Sequence, residues 1–205
     1  MPFKINIVET SSSDCPAFFK DRVSNDLFPK IWAIGNLNIL EKQLLGFFCS
    51  AKCPGAIILK TYDLIRDLRN KGVIVISGFH SPIEKDCLDF LIRGKQPIVI
   101  CPARGIETMR IPKPWRMPIE KNRVLILSPF ENKYRRPTVA LAEHRNRFVK
   151  MLAYKILIAC AANKSKTMQL FSKASTQGKE VYTLDKQNSS ETIQYVDNVS
   201  FLANI

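Results

Sequence analysis

Hydroxyl, amide and basic side chains gather just behind short apolar runs in this chain, a placement that suits anion binding and names no catalytic residue. Ser50-Ala51-Lys52-Cys53-Pro54-Gly55 follows the run Leu44 to Cys49 and precedes a helical pattern. Its Ser50 hydroxyl, Lys52 ammonium and the backbone amides near Gly55 make a candidate phosphate site at a helix N-terminus. Ser77-Gly78-Phe79-His80-Ser81-Pro82 follows the next run. There Gly78 lets the backbone approach a ligand, and Pro82 suits the first position of a helix. His80 can contact phosphate or act as an acid or base, but the sequence offers it no carboxylate or nucleophile partner, and a plain polar loop is the competing reading.

Three further groups belong to the same set. Cys101-Pro102-Ala103-Arg104-Gly105 adds Arg104 behind a third run, and Asn163-Lys164-Ser165-Lys166-Thr167 puts Lys164, Ser165 and Thr167 at another expected helix start. Arg145-Asn146-Arg147 falls within an expected helix. Positions i and i+2 cannot share a helical face, so one arginine is expected to face the pocket and the other the surface. Neither GxGxxG nor GxxxxGK[ST] occurs, so no cofactor is expected. Cys49 and Cys53 are spaced for a metal, yet no second pair or histidine cluster completes four ligands.

The elements that must carry these residues are legible. Leu44 to Cys49, Val73 to Ile76, Pro97 to Cys101, Val124 to Leu127, Ile156 to Cys160 and Glu180 to Leu184 are continuous apolar runs, as strands covered on both faces should be. Helical spacing appears between them at Ile57, Ile58, Leu64, Ile65 and Leu68, then at Ile83, Cys87, Leu88 and Leu91. Gly72 and Gly94 stand where these helices should stop, and further helices are expected over Thr138 to Leu152 and Lys164 to Thr176. The alternation predicts an α/β fold: a Rossmann-like, mostly parallel sheet of six or more strands with helices on both faces. In such sheets ligands bind beyond the carboxyl ends of the strands, where the residues above are found. Residues 31–185 form the expected domain, 1–30 an irregular or short helical lead-in, and 186–205 a tail that docks back or joins a partner. Pro102 to Asn122 and Ser128 to Pro137 read as loops that cover a ligand.

Composition narrows the partners. With 205 residues, 46% of them hydrophobic, the chain fits one domain. Met1 to Thr10 does not resemble an export signal and no run of eighteen apolar residues occurs, so a cytoplasmic protein with six reduced cysteines is expected. The formal charge is +13. Between Arg104 and Lys150 twelve basic residues face four glutamates, so eight of the thirteen excess charges lie in under a quarter of the chain. That favours a polyanionic partner, against the alternative of a solvated basic surface.

The order of these segments resembles the DprA/Smf family of DNA-processing proteins over about Phe28 to Asp185. Ile34-Gly35-Asn36 stands at the family's Gly-Asn pair, and Ser50-Ala51-Lys52 at its Gly-Ser-Arg turn. Ser77-Gly78 opens the Ser-Gly-x-Ala-x-Gly-Ile-Asp stretch, which Ile83-Glu84 closes. Arg145-Asn146-Arg147 reproduces the family's Arg-Asn-Arg, and Lys164-Ser165-Lys166-Thr167 lies at its Ser-Gly-Ser-x-x-Thr helix entrance. Two departures stand out: His80-Ser81-Pro82 in place of Ala-Arg-Gly, and Lys166 in place of the entrance glycine. The resemblance implies single-stranded DNA binding through a basic pocket, a homodimer, and delivery of the strand to a RecA-type recombinase in DNA uptake or recombination.

Two functions compete at this stage. In the first, Lys52, Arg104, Arg145, Arg147 and Lys164 neutralise the phosphates of single-stranded DNA while Trp115 stacks a base or anchors its loop. In the second, the chain senses or processes a small nucleotide, as the LOG proteins do, although their Pro-Gly-Gly-x-Gly-Thr loop is missing here. A purely structural protein would leave the hydroxyl and lysine clusters at the strand ends without a role.

Overall fold

Val, Ile and Leu dominate the apolar runs, and a β-branched run covered on both faces has nowhere to go but the middle of a sheet. The computed structural model of the protein describes residues 3–161 and 178–202. Among these, the strands are β1 (Asn6–Glu9), β2 (Lys30–Ile34), β3 (Leu45–Cys49), β4 (Val75–Ser77), β5 (Ile98–Ile100), β6 (Val124–Ser128), β7 (Lys155–Cys160), β8 (Glu180–Thr183) and β9 (Gln194–Tyr195). They form one sheet in the order β1-β2-β6-β5-β4-β3-β7-β8-β9. β2 runs antiparallel to both β1 and β6, and the other neighbours are parallel. All six predicted runs are strands of this Rossmann-like sheet.

Helices cover both faces. On one, α1 (Ala17–Arg22) and α5 (Val139–Leu152) bury Phe19, Phe148, Val149 and Leu152 against Ile31, Val99, Leu125 and Ile156. On the other, α2 (Gly55–Asn70), α3 (Pro82–Ile92) and α4 (Lys113–Glu120) bury Leu64, Leu68, Leu88 and Ile119 against Phe47, Val75, Ile98 and Val124. Gly72 has φ +78°, the left-handed conformation that ends α2. The Thr138 side chain accepts a hydrogen bond from Leu141 N–H and starts α5 where the sequence predicts it. No helix of the described residues is long and apolar enough to cross a membrane.

Two expectations change. The first thirty residues hold the short helix α1, and they also hold β1, which with β2 extends the sheet by two antiparallel strands. The loop Pro102 to Asn122 contains α4, since Pro114 lies in the first turn, where a missing N–H costs nothing; Pro118 is interior. In the tail, β9 pairs with β8, Phe201 packs on Tyr182, and Lys155 Nζ donates to the Phe201 carbonyl at 2.9 Å. The helix expected over Lys164 to Thr176 lies outside the described residues.

Candidate ligand cleft at the switch point

From β3 the chain winds through β4, β5 and β6 toward one side of the sheet, whereas β7 and β8 lie on the other side of β3. The carboxyl ends of β3 and β7 therefore flank the topological switch point, the place where an open α/β sheet leaves a crevice. The register between these strands slips by one residue at their ends: Phe48 faces Ile158 but Cys49 faces Cys160. Ser50 N–H still reaches the Cys160 carbonyl at 2.8 Å. A cleft of about 250 Å³ opens there. Ser50 and Ala51 form one wall, Cys160 and Ala161 another, His80, Ser81 and Glu84 a third, and Ala142, Arg145 and Asn146 of α5 close it. A second cavity, about 470 Å³, adjoins it through His80, Ala142 and Asn146 and runs along the N-terminus of α5.

Glu84 holds the first and third walls together. Its buried carboxylate accepts hydrogen bonds from Cys49 N–H at 2.9 Å, His80 N–H at 2.7 Å and Ser81 N–H at 3.3 Å. The Ser81 hydroxyl accepts from Glu84 N–H in return, completing a capping box that starts α3 behind Pro82. This residue is absent from the predicted site, although Ser81-Pro82-Ile83-Glu84 carries the S-x-x-E signature of such a box.

Arg145 forms the cationic floor. Only 4% of it is exposed; Nη1 donates to the Cys101 carbonyl at 2.9 Å and Nε to Asn146 Oδ1 at 2.8 Å. Burial pulls its pKa down and the nearby Glu84 carboxylate opposes that pull. A guanidinium keeps its proton in such a place, so a fixed positive charge lies under the cleft. Gly78 is what admits it, because a Cβ there would lie 1.0 Å from Arg145 Nη1. The next residue, Phe79, is buried with φ +46°, a costly conformation for a bulky side chain. Ser77 Oγ accepts from Phe79 N–H at 3.3 Å and stabilises that turn, which leaves His80 exposed at the mouth.

The predicted residues thus separate. Ser50, His80, Arg145 and Asn146 line the cleft, and Gly78 lies beneath Arg145. Lys52 is exposed on the adjoining loop and accepts from Cys160 Sγ through its carbonyl. Gly55 opens α2, where a Cβ would meet open space, so no close approach requires glycine. The Ser77 hydroxyl is buried and engaged in its own turn. Arg147 is exposed on another face of α5, as its spacing from Arg145 predicts. Arg104 sits behind β5, outside the cleft, with its carbonyl bonded by Ser128 Oγ at 2.6 Å. Lys164, Ser165 and Thr167 lie outside the described residues.

Chemically the cleft presents hydroxyl, amide and imidazole groups above a fixed cation. Its thiols are poorly suited to nucleophilic work: burial pushes Cys160 up to about 12 and Cys49 higher still, opposite to the depressed value a reactive thiolate needs.

A Rossmann-like sheet with a cleft at its switch point defines a class of α/β proteins that bind ligands beyond their strand ends. Within that class, a family model for DNA recombination-mediator protein A matches residues 6–199, and the chain belongs to this family. The solved structure of DNA processing protein A from Streptococcus pneumoniae is similar, with TM-score 0.75 and 17% identity over 98% of this chain and 75% of that one. DNA processing protein A from Helicobacter pylori, studied for its single-stranded DNA binding mode, gives TM-score 0.74 and 18% identity over 98% and 95%. The molybdenum cofactor carrier protein of Chlamydomonas reinhardtii shares the fold more distantly, with TM-score 0.53 and 11% identity over 79% and 94%. No curated protein sequence matches the chain.

Proposed function

We propose that this protein binds single-stranded DNA in the switch-point cleft, acting in the cytoplasm in DNA uptake or recombination. The observation that carries the reading is the buried Arg145 guanidinium beneath a cleft walled by Ser50, His80 and Asn146. A fixed cation under polar donors suits a phosphodiester, and the local excess of basic residues supplies the long-range attraction. Lys52, Arg104 and Arg147 contribute to that field from outside the cleft, and Lys164, Ser165 and Thr167 are proposed to add ammonium and hydroxyl contacts to the strand. Family membership and the fold shared with the Helicobacter pylori protein support the same assignment. A homodimer and hand-over of the strand to a RecA-type recombinase complete the proposed role.

Titration of the protein with labelled single-stranded oligonucleotide, duplex and mononucleotide at several salt concentrations tests the reading. Single strands should bind best, with affinity falling steeply as salt rises and falling again in Lys52→Ala and Asn146→Ala. Tight binding of a mononucleotide with no preference for the strand over a control polyanion would overturn it in favour of a nucleotide sensor.

A further inference from the structure

α5 has a second side. His144 and Leu141, neighbours in sequence of the cleft residues Arg145 and Ala142, line a separate cavity of about 430 Å³ between β2 and the loop that follows β6. Its walls are largely rings: Trp32, Phe130, Tyr134 and His144. Phe130 stands between the last two, with ring centroids 6.0 Å from Tyr134 and 5.6 Å from His144. Lys30 and Glu131 add charged groups at its edge. On the same loop Arg135 and Arg136 are exposed. Burial and the neighbouring Arg147 depress the His144 pKa below its ordinary value, so at neutral pH this ring is an uncharged wall.

The geometry points to a nucleobase pocket here: one unstacked base of a bound single strand enters the cavity and rests against the exposed Tyr134 ring and the half-buried His144 ring, which Phe130 backs, while Arg135 and Arg136 neutralise its flanking phosphates. The accessible rings of Tyr134 and His144 at a cavity larger than a single heterocycle suit stacking, which tolerates any base because every base has a π face. Lys30 and Glu131 offer a donor and an acceptor to the base edge. The exposed arginines fit a polyanion and disfavour a basic or merely apolar occupant. Because His144 and Arg145 are consecutive on α5, this pocket and the cleft lie on two sides of one helix, so a strand crossing its N-terminal end would engage both. The assignment rests on the strand-binding reading above and adds a second point of contact to it.

Trp32 provides a direct readout. In a Trp115→Phe background it is the sole tryptophan. Titration with a single-stranded oligonucleotide and with an abasic strand of equal length follows both its emission and the affinity. The full strand should quench Trp32, the abasic strand should bind about tenfold more weakly without quenching, and Tyr134→Ala should lose about tenfold in affinity for the full strand. Tyr134 is 40% exposed, so its truncation leaves the core intact, and Tyr134→Phe should restore binding. Unchanged affinity in Tyr134→Ala, or equal binding of the abasic strand, overturns the pocket. The cleft reading survives that result if Asn146→Ala still weakens binding, and absence of strand binding by the unsubstituted protein overturns both.

Discussion

The guanidinium of Arg145 occupies the space that a side chain on Gly78 would need, with Nη1 1.0 Å from the Cβ position. Two segments far apart in sequence are therefore matched: the turn after β4 is bare because α5 places a cation on it. Gly78→Ala must displace the guanidinium from the Cys101 carbonyl. It should cost about 1–3 kcal/mol, the range for overpacking a filled interior. The denaturant midpoint checks this, and strand affinity should fall in parallel because the floor of the cleft has moved.

Glu84 ties the ends of β3 and β4 to α3 through three backbone N–H groups. Glu84→Ala leaves those donors without their acceptor and should destabilise the protein by about 2–3 kcal/mol. Glu84→Gln keeps one acceptor oxygen and should cost less. Urea unfolding should show the midpoint shifting at constant slope in both variants.

Alkaline stability follows from the buried thiols. Burial raises Cys101 and Cys160 to about 12, and raises Cys49 and Cys87 as well. A thiol whose folded pKa exceeds its unfolded value of about 8.5 contributes stability that is complete below that pH and is lost above it. Lys179 opposes this, since burial together with Arg22 and Lys150 depresses it to about 8, and its contribution rises with pH from there. Four thiols outweigh one lysine, so Tm measured under reducing conditions should fall from about pH 9 to pH 10.5. A flat or rising Tm over that interval would mean that the thiols are not buried.

Lys155 anchors the tail. Nearly buried, it pairs with Glu180 at 2.7 Å and donates to the Phe201 carbonyl. The same ion pair holds the Glu180 carboxyl below its usual range. Lys155→Met retains the apolar stem but removes both bonds, at a cost of about 1–3 kcal/mol. Hydrogen exchange should speed up at the turn Val199–Leu202 while the sheet centre stays protected.

Much of this fold is legible in the sequence because the central strands are covered on both faces, which leaves unbroken apolar runs behind. The edge is harder to read. β1 buries only Val8 among its four residues, and β2 adds four buried positions directly after Pro29 and Lys30, in a region where serines and charges dominate the pattern. α4 is hidden by its prolines. Within the site, the positions behind each strand are readable from topology, and Ser50, His80, Arg145 and Asn146 do converge. What spacing cannot reveal is which way a polar group turns: Ser77 spends its hydroxyl on the Phe79 turn, and Glu84 binds backbone. The aromatic pocket escapes for a similar reason, since Trp32, Phe130 and His144 come from three elements, of which the antiparallel β2–β6 pairing joins the first two and the packing of α5 on the sheet adds the third.

Ala142 belongs to both the cleft and the cavity beside it, so a large side chain there fills the proposed path of the strand without touching Arg145 chemistry. The most direct measurement is the affinity of Ala142→Trp for a labelled single-stranded oligonucleotide, made alongside its melting temperature. Strand binding in the cleft predicts a loss of at least about tenfold, or 1.4 kcal/mol, with little change in Tm. Wild-type affinity in a folded Ala142→Trp protein would contradict it, and would place the strand elsewhere on the molecule.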